Sequence, residues 1–538
     1  MDDVIIEKTQ KMIDSLKAVC REGGLSNSAG EYKIVTEVFL YKYLNDKFFF
    51  EVKKINPELK ENTEEKLSLL SAEEYELLLL ELPADTAKLK PEHFLSTLYN
   101  RKNEEKFSEV FDSTLLSLAD FNIDIFSVST ESTGKIRLFD AISPHVTDVG
   151  KRDFFCRALC DKLVEFSFEE VFSQKYDFFS TIFEYLISDY NKDSGKYGEY
   201  YTPNSIARII ARILVRSPVS NVTLYDPAAG SGTLLLALAD KVGTEKCSIF
   251  SQDISQKSCE FLRLNLILNN LVHSLDHVIN GNTLTSPAHK NLRGDRLERF
   301  DFIVSNPPFN TDFSDTQPEL CGESHAKRFF AGVPKIPNKK KDSMSIYLLF
   351  IQHILFSLKE NGKAAVVVPT GFLTAKSGIE LRIREFIIQN RMLSGVVSMP
   401  SNIFANTGTN VSILFLDKDV HDSVILIDAS KLGEKKKVDG LQRTFLSTDE
   451  QEKIVETFLS GSAIEDFSVC VSFEDISAKK YSFSAGQYFE VKIEYLDITP
   501  DEFAQKMAVS EEKIEYLFAE GKKLEEEISS QLKNLRFW

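Results

Sequence analysis

Little in this sequence could cross-link, span a bilayer or attract a polyanion. The seven cysteines (Cys20, Cys156, Cys160, Cys247, Cys259, Cys321, Cys470) are scattered, odd in number and without a CxxC pair. That pattern suggests neither a disulfide framework nor a zinc knuckle, so reduced, mostly buried thiols and no metal are expected. The longest apolar runs, such as Leu77–Leu80 and Ala364–Pro369, fall far short of the roughly 20 residues a membrane helix needs. Met1-Asp2-Asp3-Val4 opens the chain acidic, unlike a secretory signal, so the expected compartment is the cytoplasm. Positive charge is short as well: 64 Lys and Arg stand against 81 Asp and Glu, a formal net charge of −17. This argues against strong autonomous binding to nucleic acid, because phosphate contacts supply most non-specific affinity. Any such role needs local basic patches or a partner.

The remainder has the composition of a globular protein, 538 residues with 43% hydrophobic and 27% charged side chains. That length suits about three domains and a core that needs no staples. Residues 1–165 show helical periodicity, as in Ile34, Val35, Val38, Phe39, Tyr41 and Leu44 or Phe155, Leu159, Leu163 and Phe166, which predicts an all-helical N-terminal domain. Within 166–430, from about residue 220, short β-branched runs alternate with helical segments: Val222–Tyr225, Ser248–Gln252, His277–Asn280, Asp301–Ser305, Ala364–Pro369, Ser394–Met399, Val411–Leu416 and Val424–Ile427. This predicts an α/β fold with a mostly parallel, doubly wound sheet, whose ligands bind beyond the carboxyl ends of the strands. In 431–538 the strands thin out and charge rises from Glu434-Lys435-Lys436-Lys437 onward. Thr499-Pro500-Asp501-Glu502 is a helix start, and Ile514, Leu517, Leu524, Ile528 and Leu535 line one face of a last helix, with Gly521 and Gln531 interrupting the seam. That helix either packs on its own chain or binds a partner.

Two segments carry chemistry. Val222-Thr223-Leu224-Tyr225 runs into Asp226-Pro227-Ala228-Ala229-Gly230-Ser231-Gly232-Thr233 and then a helical stretch. The two glycines allow a tight turn and close backbone approach to a ligand at a helix N-terminus. Neither GxGxxG nor GxxxxGK[ST] fits. Asp253, at the end of the next strand, is placed to accept hydrogen bonds from ribose hydroxyls, although an acid there can also simply cap a helix. The sharper segment is Ser305-Asn306-Pro307-Pro308-Phe309, directly after Asp301–Val304. Two prolines fix the backbone and remove its amide hydrogens, leaving carbonyl acceptors beside the Asn306 side-chain oxygen. A planar amino group donating to Asn306 Oδ1 and the Pro307 carbonyl would direct its nitrogen lone pair at an electrophile, with Phe309 stacked on its ring. A rigid Pro-Pro turn is the alternative.

Asp226–Gly232 resembles the S-adenosylmethionine loop of class I methyltransferases, and Asn306–Phe309 resembles the catalytic tetrapeptide of amino-methyltransferases acting on adenine N6. Gly198-Glu199-Tyr200-Tyr201-Thr202-Pro203, ahead of the loop, is similar to the segment preceding it in γ-order adenine methyltransferases. Further segments, Ile351–Leu355, Asn361–Pro369, Pro400–Gly408 and Val424–Ser430, resemble the modification subunit of type I restriction-modification systems. The resemblance is densest over 195–430. It implies a class I (Rossmann-like) methyltransferase domain behind a helical domain, with a C-terminal tail for partner contact. It further implies double-stranded DNA as substrate, a separate specificity subunit shared by two modification subunits, and a restriction subunit in the cleaving complex. Carried over by position, Tyr201 and Thr202 would line the methionine end of the cofactor, and Asp226, Ala229, Gly230, Ser231, Gly232 and Thr233 would surround it. Asp253 would bind the ribose. Asn282 stands where the family commonly has an acid near the cofactor adenine, and Ala228-Ala229 where a cysteine is frequent. Phe404 is a candidate second stacking surface, or a core residue, and Lys339–Lys341 a candidate phosphate contact, or a solvated loop.

The implied reaction is direct methyl transfer from a sulfonium to an amino nitrogen. Methylation of cytosine C5 would need a nucleophilic thiolate, typically offered as Pro-Cys, and that dipeptide is missing. The target base must leave the duplex to reach such a site. None of the eight histidines adjoins the motif, so the proton shed after transfer is expected to pass to water. Similar Asn-Pro-Pro-aromatic motifs serve methyltransferases acting on RNA guanine or protein glutamine, and a non-catalytic scaffold binding cofactor and DNA is a third reading.

Overall fold

The structure, a computed structural model, describes all residues except 1, 26–28, 131–133, 173–177, 180, 184, 187–201, 292, 405–409, 420–421, 439–440, 490–498 and 535–538. The chain forms two compact units, Met1–Tyr488 and Phe489–Trp538. The principal helices of the first are α1 (Asp2–Glu22), α2 (Ala29–Ile55), α3 (Phe107–Phe121), α4 (Val149–Val164), α5 (Asn204–Leu214), α6 (Thr233–Val242), α7 (Gln256–Leu268), α8 (Tyr347–Ser357), α9 (Gly378–Gln389) and α10 (Thr448–Ser460). The second unit holds α11 (Pro500–Asn534).

The strands are β1 (Val128–Thr130), β2 (Lys135–Ile136), β3 (Val222–Asp226), β4 (Cys247–Asp253), β5 (Val278–Asn280), β6 (Phe300–Ser305), β7 (Leu358–Pro369), β8 (Leu393–Ser398), β9 (Val411–Asp417), β10 (Ser423–Asp428), β11 (Glu434–Val438), β12 (Leu441–Phe445) and β13 (Ser468–Ser472). Among the described residues eleven make one sheet in the order β13-β10-β8-β9-β7-β6-β3-β4-β5-β1-β2; β11 and β12 pair separately. Each of the eight strands expected from sequence is present. The sheet is parallel from β5 through β4, β3 and β6 to β7, while β9 runs antiparallel between β7 and β8. Because β8 pairs antiparallel with β9 and parallel with β10, the carboxyl ends of β3 to β8 and of β10 all face one edge. The loops that leave those ends therefore share a rim, where an α/β sheet binds its ligands.

The central strands are apolar throughout, Ala364–Val368 being fully buried, as expected of strands covered on both faces. Helix α6 packs on β3 and β4, α7 on β4 and β5, α8 on β7, and α10 on α5 and β10. The N-terminal region joins the same core. Ile34, Val35, Val38, Phe39, Tyr41 and Leu44 of α2 are each at most 1% exposed. Tyr32 meets Phe261 of α7 edge to face, and Lys47 Nζ donates to Asn270 Oδ1 at 2.9 Å. Two short strands are an addition to its helical pattern: β1 pairs parallel with β5, and β2 antiparallel with β1. Three residues of β1 and two of β2 are too few to show a period of two, so the sequence carries no signal for them. The same applies after residue 430, where β11, β12 and β13 stand in a stretch expected to be poor in strands. The lysine run of β11 has none of the apolar alternation by which strands are recognised.

Helix α11 is continuous over 35 residues. Its start is the expected one: Thr499 Oγ1 accepts the Glu502 amide at 3.3 Å, and Glu502 Oε2 accepts the Thr499 amide at 2.9 Å. Gly521 costs helix propensity, about 1 kcal/mol relative to alanine, without breaking the helix. Ile514, Leu517, Leu524 and Ile528 are exposed; Leu535 lies outside the described residues. Among the described residues no helix is long and apolar enough to cross a membrane.

Candidate active site

Strand β3 delivers Asp226 to the rim, and the loop that follows turns on two residues in the left-handed region, Gly230 at φ 53° and Gly232 at φ 81°. A Cβ on Gly232 would stand 2.2 Å from Leu262 Cδ1, so this glycine lets α6 begin hard against α7. Helix α7 supports the loop further, Asn265 Nδ2 donating to the Ser231 carbonyl at 2.8 Å. Thr233 opens α6 with its hydroxyl 3.1 Å from that of Ser231. From β4, the Gln252 carbonyl accepts the Ala229 amide at 3.4 Å. Asp253 is partly exposed and ties loop and helix together: Oδ2 accepts the Gly230 amide at 2.9 Å and Oδ1 the Ser255 amide at 2.8 Å. The N-cap of α7 is not Asp253 but Ser255, whose hydroxyl accepts the Ser258 amide at 3.2 Å, so Asp253 braces the cap residue rather than capping the helix itself. Burial raises its pKa, an effect the two amide bonds oppose.

Asn282 lies on the next rim loop, after β5, and accepts the Leu284 amide at 3.0 Å. Its neighbour Thr283 donates to the Pro227 carbonyl at 2.7 Å, which joins this loop to the glycine turn. Arg328, 4% exposed, donates to the carbonyls of Thr283, at 3.2 Å, and Leu284. Behind it the Tyr225 hydroxyl and His353 Nε2 are 3.0 Å apart. Burial drives His353 well below the ordinary imidazole range and lowers Arg328 to about 10. A neutral imidazole between a phenol and a guanidinium serves to hold the packing beneath the rim.

Strand β6 ends at Ser305 beside β3. The Ser305 hydroxyl donates to Asp226 Oδ1 at 2.8 Å, and the Ala228 amide donates to the same oxygen at 2.9 Å. One buried carboxylate therefore fastens the glycine turn to the residue preceding Asn306. Burial lifts Asp226 to about 7; the two donors pull it down and the charge of Asp253 pushes it up. Asn306, 8% exposed, donates through Nδ2 to Thr202 Oγ1 at 3.2 Å. This orients the amide, Nδ2 toward Thr202 and the acceptor Oδ1 the other way. Pro307 is buried, Pro308 and Phe309 are half-buried, and the Phe309 ring meets Tyr347 edge to face at 6.2 Å.

The structure brings Thr202, Asp226, Ala229, Gly230, Ser231, Gly232, Thr233, Asp253, Asn282 and Asn306–Phe309 to one rim. Tyr201, and Ala405–Gly408 of the Pro400–Gly408 segment, lie outside the described residues. Phe404 is 4% exposed and belongs to the main core. Lys339–Lys341 are exposed on the long connection after the Asn-Pro-Pro-Phe segment, with Lys341 Nζ 3.2 Å from Ser314 Oγ. Ser305, quoted at the head of the motif but given no role in the sequence reading, and Asn265, Arg328 and Tyr347, which that reading does not name, are supporting residues. Ser305 adjoins the motif and could have been found from it. The other three come from distant segments and have no local signature.

Sheet order, glycine turn and the Asn-Pro-Pro-Phe segment define a class I methyltransferase. Residues 174–495, more than half of the chain, match the family model described as N-6 DNA Methylase, and the chain belongs to that family. It is 29% identical over 430 residues to the methylase subunit of the type I restriction enzyme MpnII of Mycoplasma pneumoniae, covering 76% of each chain. It is 27% identical over 377 residues to that of HindI of Haemophilus influenzae, covering 67% of this chain and 79% of the relative. The crystal structure of the type I restriction-modification methyltransferase subunit of Streptococcus thermophilus shares the fold, with a TM-score of 0.70 at 23% identity, over 90% of this chain and all of the other.

Proposed function

We propose that this protein transfers a methyl group from S-adenosylmethionine to N6 of a flipped-out adenine in double-stranded DNA, acting in the cytoplasm as the modification subunit of a type I restriction-modification complex. The observation that carries the proposal is the joint between the two motifs: Asp226 holds Ser305 at 2.8 Å while Asn306 is oriented by Thr202 at 3.2 Å. The donor set fits a nucleoside cofactor. Each carboxylate oxygen of Asp253 accepts one amide and keeps a second lone pair for a hydroxyl, and Asn282 offers an amide to the cofactor's adenine. Thr202 and the loop Asp226–Thr233 would hold the remainder, together with Tyr201. When bound, S-adenosylmethionine supplies an electrophilic methyl on sulfur.

The chain's own groups then do three things. Asn306 Oδ1 and the Pro307 carbonyl accept the two hydrogens of the target amino group, which raises electron density on nitrogen and sets its direction. Phe309, braced by Tyr347, stacks on the base. The shared anchoring of both loops on Asp226 fixes donor against acceptor, and alignment of the reacting atoms lowers the barrier. The proton released afterwards passes to water.

The division of labour proposed is a helical region to about 165, the catalytic domain to about 430 and a C-terminal region for subunit contact. Two modification subunits flank one specificity subunit that reads the sequence, and a restriction subunit joins for cleavage. Exposed Lys339–Lys341 contact the DNA backbone near the site. The test is transfer of labelled methyl from S-adenosylmethionine to unmodified genomic DNA, with and without the co-encoded specificity protein, followed by nucleoside analysis. N6-methyladenine formed only with both proteins is the expected result. Labelled RNA or protein in place of DNA, or no transfer with cofactor binding intact, would sink it.

A further inference from the structure

We propose that the hairpin β11–β12 is a phosphate-contacting arm for duplex DNA, mounted on the rim that carries Asn306; the inference rests on the function proposed above. In a chain of net charge −17, the sequence of residues 434–445 carries Lys435, Lys436, Lys437 and Arg443 against two acids, Glu434 and Asp439. The three lysines are exposed. Lys436 bridges to Glu434 at 2.8 Å, a surface pair that contributes little. The ladder is regular, with Lys435 opposite Thr444, Lys436 opposite Arg443 and Lys437 opposite Gln442. Side chains alternate along a strand, so basic groups stand on both faces of a narrow two-stranded ribbon.

Placement separates this run from an ordinary solvated loop. The hairpin leaves the carboxyl end of β10, the same edge as the Asn-Pro-Pro-Phe loop, and its root is fixed on two sides. Thr444, 4% exposed, donates its hydroxyl to the Ser401 carbonyl at 2.7 Å and its amide to the Asn402 carbonyl at 3.0 Å. Both acceptors sit on the rim loop after β8. On the other side Gly433, at φ 87°, donates its amide to Glu450 Oε1 at 2.7 Å, in the capping box of α10. A Cβ at residue 433 would stand 2.5 Å from Thr444 Cγ2, so the left-handed glycine lets the two roots close. An anchored base and an exposed cationic blade suit a polyanion at the rim. Lysines on exposed strands also discourage edge-to-edge pairing between molecules. That role would leave the salt dependence of duplex binding untouched, which separates the two.

The test compares the full chain, assembled with its co-encoded specificity subunit, with the variants Lys435→Gln/Lys436→Gln/Lys437→Gln and Lys435→Glu/Lys436→Glu/Lys437→Glu. Duplex affinity is measured by fluorescence anisotropy between about 50 and 200 mM salt, where each lost phosphate contact lowers the slope of log K against log salt by about 0.9. The Gln variant should lose about two slope units and bind at least tenfold more weakly, the Glu variant more so, both with wild-type cofactor binding and melting temperature. An unchanged slope in a complex that still methylates DNA would overturn the hairpin assignment alone. So would lost subunit association at an unchanged slope, which would give the arm to an acidic protein surface. Failure of the wild-type complex to bind duplex or form N6-methyladenine would overturn the parent function, and the arm with it.

Discussion

Asn306 and Ser305 stand side by side yet face different tasks, one toward the reacting amino group and one toward Asp226. Replacing Asn306 by Ala removes an acceptor needed only as charge develops, and should lower methyl transfer about 100-fold or more while cofactor binding stays within a few-fold. Equilibrium dialysis beside a single-turnover assay checks this, and unimpaired turnover would remove Asn306 from the mechanism. Ser305→Ala leaves Asp226 with one donor instead of two in a buried site. It should cost about 1–3 kcal/mol of stability by urea titration and slow transfer by loosening the joint. Asp226 itself predicts a pH dependence. Its carboxyl is lifted to about 7 from 3.8, so the folded chain keeps a proton that the unfolded chain sheds. Its contribution to stability is fully present below about pH 4 and lost as pH rises toward and through 7. Asp226→Asn has no proton to lose, so its melting temperature relative to wild type should rise between pH 5 and pH 8; a constant difference would show that Asp226 is ionised throughout.

At the scale of elements, the glycine turn is a packing device as much as a binding one. Gly232 occupies a left-handed conformation with Leu262 of α7 where a side chain would go. Gly232→Ala should therefore destabilise the junction of α6 and α7 and weaken cofactor binding. Adding Leu262→Ala should restore part of the stability by vacating the space, though not the strained φ. Thermal melts of the two single variants and the double variant measure that coupling, and additive losses would contradict the contact. The same reasoning explains why β9 matters to a site it never enters. Running antiparallel between β7 and β8, it turns β8 parallel to the central strands and brings the loop after Ser398 to the rim.

For the whole molecule, Met1–Tyr488 has a complete core of its own, whereas α11 exposes Ile514, Leu517, Leu524 and Ile528. Removing residues after about 500 should weaken capture of the specificity subunit far more than binding of cofactor. A pull-down of the truncated chain at wild-type strength would reject that division. The N-terminal region is expected to be less separable. It shares a continuous core with the sheet and adds β1 alongside β5.

The sequence by itself determined the class of the fold, eight of its strands and the residues of both motifs, because strand periodicity, glycine turns and a Pro-Pro string are written in contiguous positions. It also marked α2's buried face, since a helix repeats its apolar positions every three or four residues. What only the tertiary structure decided was which distant groups meet. Asp226 reaches Ser305 across 79 positions and Thr202 reaches Asn306 across 104. Arg328 braces a loop 44 residues earlier, and Phe404 turns into the core. Short strands such as β1 and the lysine-rich β11 owe their structure to neighbours rather than to their own pattern, since a strand of a few residues is held by pairing and not by propensity.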